Sequence, residues 1–179
     1  LLTSYSLSCS TINIDKLIKL AKKNKINTLA ITDHLNVFAA IKFYQKCIDN
    51  NIKPIIGCEI PVKYDTLGRF TPNITILCKD IDGYKSLIKL LSEIHVQKEK
   101  NKTASADISQ LQNYNHGLII LSGGRYGVIG SNLLSEDNTS KINFVKSLKK
   151  IFQDRLYVQI DRGNHESEKL YNNKLLILA

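Results

Sequence analysis

The 179 residues suit one domain of ordinary size, and with 43% of them hydrophobic they can build a real core. No apolar run is long enough to cross a bilayer and no leader pattern precedes a cleavage site, so the expected compartment is the cytosol, with no membrane partner. Lys and Arg outnumber Asp and Glu by 25 to 16, a balance that would suit nucleic acid, but the chain is rich in Lys, Asn and Ile throughout. Its lysines read as spread, and charge alone specifies no nucleic-acid groove.

In chain order, Asn13 can cap a helix whose apolar positions Ile14, Leu17, Ile18 and Ala21 recur at helical spacing. "TLAIT" (28–32) reads as a short buried strand ending in Asp33 and His34, and residues 36–50 return to helical spacing through Val37, Ile41, Tyr44 and Ile48. "KPIIGCEI" (53–60) is a strand that reaches Glu59 near its end. "PVKYDTLGRF" reads as a short strand and a turn at Gly68, and "NITILC" (73–78) as a further strand. A long helix carries Leu87, Ile88, Leu91 and Ile94, with His95 at the edge of the core. Residues 98–107 read as a polar, mobile connector, and Asp107 as the cap of a short helix. "GLIILS" (117–122) is a clear strand followed by Gly123 and Gly124. Helices near 126–135 and 140–152, a strand over 155–161 and a final helix complete the pattern.

Strands alternating with helices at this spacing predict an α/β fold with a mainly parallel sheet. Functional groups of such folds gather at the carboxyl ends of the strands, where Asp33, His34, Glu59 and the Gly123–Gly124 pair fall. His34 could ligate a divalent metal, with Asp33 either ligating or orienting it and Glu59 as a bridging carboxylate. The plainer alternative is that Asp33 caps the following helix. "SGGRYGVIG" is neither of the standard phosphate-binding glycine patterns, so tight turning explains its glycines more simply, although Arg125 could meet a phosphate. His116 and His165 have no partner pattern. Cys9, Cys47, Cys58 and Cys78 lack metal-site spacing and read as buried thiols. The chain has no methionine and starts and stops inside patterned sequence, so it is read as part of something longer.

The order of motifs is specific. "YSLSCSTINIDKLIKLAKKNKINTLAITDHLNVFAAIKFYQKCIDNNIKPIIGCEI", then "DIDGYKSLIKLLSEIHVQK" and "HGLIILSGGRYGVIGSNLL", resembles the amino-terminal PHP (polymerase and histidinol phosphatase) domain of bacterial DNA polymerase III alpha subunits of the proteobacterial type. The resemblance spans essentially the whole chain. It implies a distorted, TIM-like (β/α)7 barrel, incomplete here, with residues 1–179 a partial PHP domain. The first residues and last strands would be missing, and palm, fingers and later domains would lie elsewhere in a DNA-directed DNA polymerase. Intact members hold divalent metal (Zn, Mn or Mg) and hydrolyse phosphoesters. In others the domain is a platform for the separate proofreading exonuclease subunit.

Carried over residue by residue, Thr32, Asp33 and His34 match the family's Thr-Asp-His, and Glu59 its Gly-Cys-Glu carboxylate. Leu2 stands where the family has a histidine, Cys9 where it has an acid, Asn73 where it has a histidine, and Gly124 where it has a cysteine. A further histidine would precede residue 1, and the closing Asp-x-His would follow Ala179. The resemblance therefore implies a vestigial metal site of His34 and Glu59, with Asp33 behind them, no catalytic residue and no tightly bound cofactor. The expected role is that of scaffold in DNA replication, partnered by the exonuclease subunit and other polymerase III holoenzyme subunits, with DNA reached through the parent protein. The alternatives are an active metal-dependent phosphoesterase or proofreading 3'-5' exonuclease, and a non-functional truncated product.

Overall fold

The computed structural model describes residues 1–63, 71–98, 103–124, 127–130, 139–160 and 172–173, with the backbone alone at 139–142. Helix α1 (Ile14–Lys23) starts where Asn13 accepts the backbone N–H groups of Asp15 and Lys16, and it leads into strand β1 (Thr28–His34). Helix α2 (Ala40–Ile48) follows, then β2 (Lys53–Pro61) and β3 (Asn73–Cys78). Helix α3 (Ile81–Val96) begins at Asp80, whose carboxylate accepts the Gly83 N–H. Helix α4 (Ile108–Asn113) opens with a reciprocal cap between Asp107 and Gln110. Strand β4 (Leu118–Leu121), helix α5 (Thr139–Phe152), one turn of 3-10 helix (Gln153–Arg155) and β5 (Leu156–Tyr157) complete the described elements.

The five strands form one sheet in the order β1-β2-β3-β4-β5. β1 pairs with β2, and β4 with β5, in parallel, as the alternating pattern predicts. β3 departs from that expectation by running antiparallel to both neighbours. The reason is the link: residues 62–72 are too few for the dozen or more that a parallel crossover needs. The reversal brings Asn73, the first residue of β3, opposite Pro61 at the end of β2.

Two packed clusters sit on one face of the sheet. Ile14, Ile18 and Ala21 of α1 meet Leu29 and Ile31 of β1 and Phe43 and Cys47 of α2. Cys58, Ile60, Ile74, Ile76, Leu118 and Ile120 of the central strands meet α3, α4 and α5. Strand residues alternate between faces, so the opposite face carries Thr32, His34, Glu59, Asn73 and Thr75, each only half-buried.

Several expected boundaries shift for local reasons. The helix predicted from 36 starts at Ala40, because Asn36 accepts the Phe38 N–H and Val37 accepts that of Ala40 in a turn. The strand predicted over 155–161 is limited to Leu156–Tyr157, since the Gln159 N–H is taken by the Ser122 hydroxyl rather than by the ladder. The turn at Gly68, Arg125, His165, most of the helix near 126–135 and most of the final helix lie outside the described residues, as does the middle of the 98–107 connector.

Where α3 meets α4, Tyr114 donates from its hydroxyl to Glu93 Oε2 at 2.6 Å and Gln110 Nε2 donates to Glu93 Oε1 at 3.0 Å. The Tyr114 bond, followed by that of Gln110, holds the Glu93 carboxyl below the ordinary glutamate value. A carboxyl lowered by folding stabilises in full above its unfolded pKa, and that contribution disappears as the pH falls through the folded value. Glu93→Gln is expected to lose that part of the acid sensitivity, which melting temperatures of variant and wild type measured from neutral pH downward would register.

Candidate functional site

The mouth of the sheet is built where β1 and β2 end side by side. Their parallel register sets His34 opposite Glu59 and Asp33 opposite Cys58. His34 and Glu59 therefore share the half-open face, while Asp33 shares the covered face with Leu29 and Ile31. Neighbours in sequence, Asp33 and His34 point to opposite sides of the sheet.

Asp33 is 1% exposed and its carboxylate is filled by the amino-terminal segment. Oδ1 accepts the Thr3 N–H and the Ser6 hydroxyl, both at 2.6 Å, and Oδ2 accepts the Thr3 hydroxyl at 2.7 Å. A buried carboxylate is tolerable only with such donors around it. Ser6 Oγ in turn accepts the His34 N–H at 3.0 Å, so one hydroxyl ties the acid to the backbone of its neighbour. The Cys58 thiol donates to the Asp33 carbonyl at 3.1 Å. Asp33 does not cap α2: the residue before that helix is Ala39, which has no capping side chain.

On the half-open face, Glu59 Oε1 accepts the Asn73 side-chain amide at 2.7 Å. Beyond His34 the chain turns through Leu35 at φ +56°, a conformation that costs a branched residue about 1–3 kcal/mol. Two contacts hold it there: the Leu35 N–H donates to the Glu59 carbonyl, and the His95 Nε2 lies 2.9 Å from the Leu35 carbonyl. His95, expected at the edge of the core, is exposed and reaches the mouth from the last turn of α3.

Gly123 and Gly124 follow β4 with φ of +79° and +62°, and a Cβ on Gly123 would lie 2.1 Å from the Asn73 carbonyl. Close backbone packing thus requires glycine at position 123. Of the cysteines, Cys47 and Cys58 are buried and Cys78 is half-buried. Cys9 departs from expectation in being exposed, because it sits in the turns of the 4–9 segment rather than under a helix. Burial pushes the Cys78 thiol up to about 12, and Cys58 higher still, so neither is a ready nucleophile or metal thiolate. Among the described residues no group of three or more His, Cys, Asp or Glu side chains could hold a metal ion. A cavity of about 440 Å³ between α2 and α3 is lined by Ile41, Tyr44, Pro54, Ile56, Ile81 and Tyr84. Pro54 lies at the start of β2 and Glu59 toward its end, which places this cavity away from the mouth.

Sequence reasoning picked out Asp33, His34 and Glu59 but missed Thr3 and Ser6. Their signal is slight, two hydroxyl residues three apart in "TSYS", some thirty residues from the acid they serve.

Residues 1–163 match the PHP domain family. The chain belongs to that family. It is 30% identical over 177 residues to the DNA polymerase III subunit alpha of Haemophilus influenzae and to that of Escherichia coli. Over 186 residues it is 32% identical to the subunit of Chlamydia trachomatis. These matches cover 97–99% of the chain, which spans about 15% of the length of those relatives. Among solved structures, a protein of Bifidobacterium adolescentis described as a metal-dependent phosphoesterase superposes with a TM-score of 0.64 at 12% identity, over 98% of this chain and 80% of that one. An amidohydrolase of Chromobacterium violaceum, with sulfate bound and no metal, gives 0.62 at 13% identity, over 97% and 80%. The PHP domain is thus a mixed α/β fold similar to these two structures, and bacterial DNA polymerase III alpha subunits are its relatives by sequence. No described helix is long and apolar enough to cross a membrane.

Proposed function

We propose that this PHP domain is the amino-terminal region of a replicative DNA polymerase alpha subunit, and that it works there as a structural platform rather than as a hydrolase. The parent protein would be a cytoplasmic DNA-directed DNA polymerase. The platform's partner would be the proofreading exonuclease subunit, alongside other holoenzyme subunits.

One observation carries the reading: the two carboxylates at the mouth are already served by the protein. Both oxygens of Asp33 accept from Thr3 and Ser6, and Glu59 accepts from Asn73. The metal that the fold family implies does not fit these residues. A catalytic zinc site takes about three protein ligands, whereas among the described residues the half-open face offers His34 and Glu59, and the His95 ring at the mouth is engaged by the Leu35 carbonyl. Asn73 turns a donor toward Glu59, and Leu2 and Gly124 bring no lone pair from a side chain. Binding would have to compete with bulk water without a preorganised cage. The hydrogen bonds that fill Asp33 do for the fold what a bound cation would otherwise do, which is to offset buried negative charge.

The test uses the full-length protein that contains this chain, supplied with Mn²⁺ or Zn²⁺. Neither a simple phosphate ester nor a mismatched primer terminus should be hydrolysed at this domain. His34→Ala and Glu59→Gln should leave binding of the exonuclease subunit within about twofold of wild type. Metal-dependent turnover that His34→Ala abolishes would establish an active phosphoesterase instead.

A further inference from the structure

The lysines that read as spread in the sequence are gathered by the fold. Residues 14–53 hold eight lysines against three carboxylates, while the rest of the chain holds seventeen basic residues against thirteen acidic ones. Fewer than a quarter of the residues thus carry more than half of the net charge. One of the three carboxylates, Asp33, is buried at the mouth, and a second, Asp15, is engaged by Lys46 at 3.0 Å and Lys42 at 3.9 Å of α2.

What remains on α1 makes no direct ion pair with a described residue, although Lys19 also feels the charge of Asp15. Ile14, Ile18 and Ala21 are buried, and Lys16, Lys19 and Lys23, at i, i+3 and i+7, form a stripe along the opposite, solvent side. Lys25, in the turn just past the helix end, is exposed as well. None of these four lysines is in an ion pair with a described residue. The stripe lies away from the mouth: its last members adjoin the start of β1, and His34 ends that strand.

We infer that the outer face of α1 is a contact surface for the phosphate backbone of a nucleic-acid duplex. From Lys16 to Lys23 a helix rises about 10 Å, a length over which duplex DNA presents about six phosphates. A straight row of exposed ammonium groups suits that repeating charge. A bilayer would need an apolar face to insert, and beside the stripe α1 exposes a single leucine, Leu20, while Ile14, Ile18 and Ala21 are buried against β1 and α2. No carboxylate or aromatic side chain stands in the stripe to read bases, so the contact is to backbone and independent of sequence.

The experiment is lysine footprinting on the full-length protein, with an amine-reactive reagent, a 20-base-pair duplex and mass spectrometry. Modification of Lys16, Lys19, Lys23 and Lys25 should fall at least threefold on adding duplex, while the exposed Lys79, Lys89 and Lys98 of the α3 side change little. Combined Lys16→Glu, Lys19→Glu and Lys23→Glu should reduce the slope of log affinity against log salt by about 3. The matched reversal of Lys79, Lys89 and Lys98 should reduce it less. Because the stripe lysines are exposed and unpaired, the melting temperature of the triple variant should stay near wild type. Equal protection on both sides, an unchanged slope, or protection by phosphatidylglycerol vesicles but not by duplex would overturn the inference.

Discussion

Replacing Asp33 with alanine is expected to destabilise the domain by about 3–5 kcal/mol, with no metal in the buffer and none needed. The side chain is 1% exposed and receives three hydrogen bonds, from the Thr3 N–H, the Thr3 hydroxyl and the Ser6 hydroxyl. Each buried donor left without a partner costs about 1–3 kcal/mol, and water entering the vacated space recovers only part of that. Asp33→Asn should fall in between, since one amide oxygen can still accept and both hydroxyls can turn, while the amide N–H₂ faces donors. The consequence reaches the mouth, because Ser6 also accepts the His34 N–H. His34→Ala, by contrast, removes a half-buried ring that makes no side-chain hydrogen bond to a described residue, and it should cost about 1 kcal/mol or less. Urea unfolding of the three variants settles the order. An Asp33→Ala protein within 1 kcal/mol of wild type would mean that the network holds nothing in place.

That contrast shows what the sequence could and could not express. Local signals were legible. The caps at Asn13 and Asp107 act within three residues of their partners and were readable as such. The four longer strands were readable as apolar runs, and the carboxyl ends of β1 and β2 as the place where His34 and Glu59 fall. Direction was harder: β3 looks like any other buried strand, and its reversal depends on the length of the link before it. The role of Asp33 was harder still. "TDH" shows an acid beside a histidine, but the strand period puts them on opposite faces, and the donors that claim the acid come from residues 3 and 6. The lysine stripe hid for the same kind of reason, since three turns of helix and the pairing of Asp15 with α2 decide which charges stay free.

Gly83→Ala offers a second large effect, and there two principles disagree about its sign. Alanine is favoured over glycine in a helix by about 1 kcal/mol, which by itself predicts a more stable protein. The structure predicts the reverse. A Cβ at Gly83 would lie 2.0 Å from the Gly117 carbonyl oxygen and 2.7 Å from its carbon, both backbone atoms. Neither side can yield cheaply. The Gly83 N–H is bonded to Asp80, which caps α3, and the Gly117 carbonyl accepts the Lys79 N–H at 2.9 Å. Gly117 itself sits at φ +68° in the turn that launches β4. Relief requires the start of α3 to lift from the sheet, opening the contacts of Leu87 and Leu90, both fully buried. Overpacking against backbone costs about 1–3 kcal/mol and occasionally more, and the 2.0 Å approach to a fixed carbonyl puts this site at the upper end, so a net loss of about 2 kcal/mol is expected after the propensity gain. The same lever reaches the mouth: α3 is 16 residues long, and its far end holds His95 against the Leu35 carbonyl. A tilt at Gly83 should therefore change the His95 ring resonances in NMR spectra along with the unfolding midpoint. A variant as stable as wild type, with the His95 signals unmoved, would show that α3 docks without this contact, and the turn at Leu35 would then need another support.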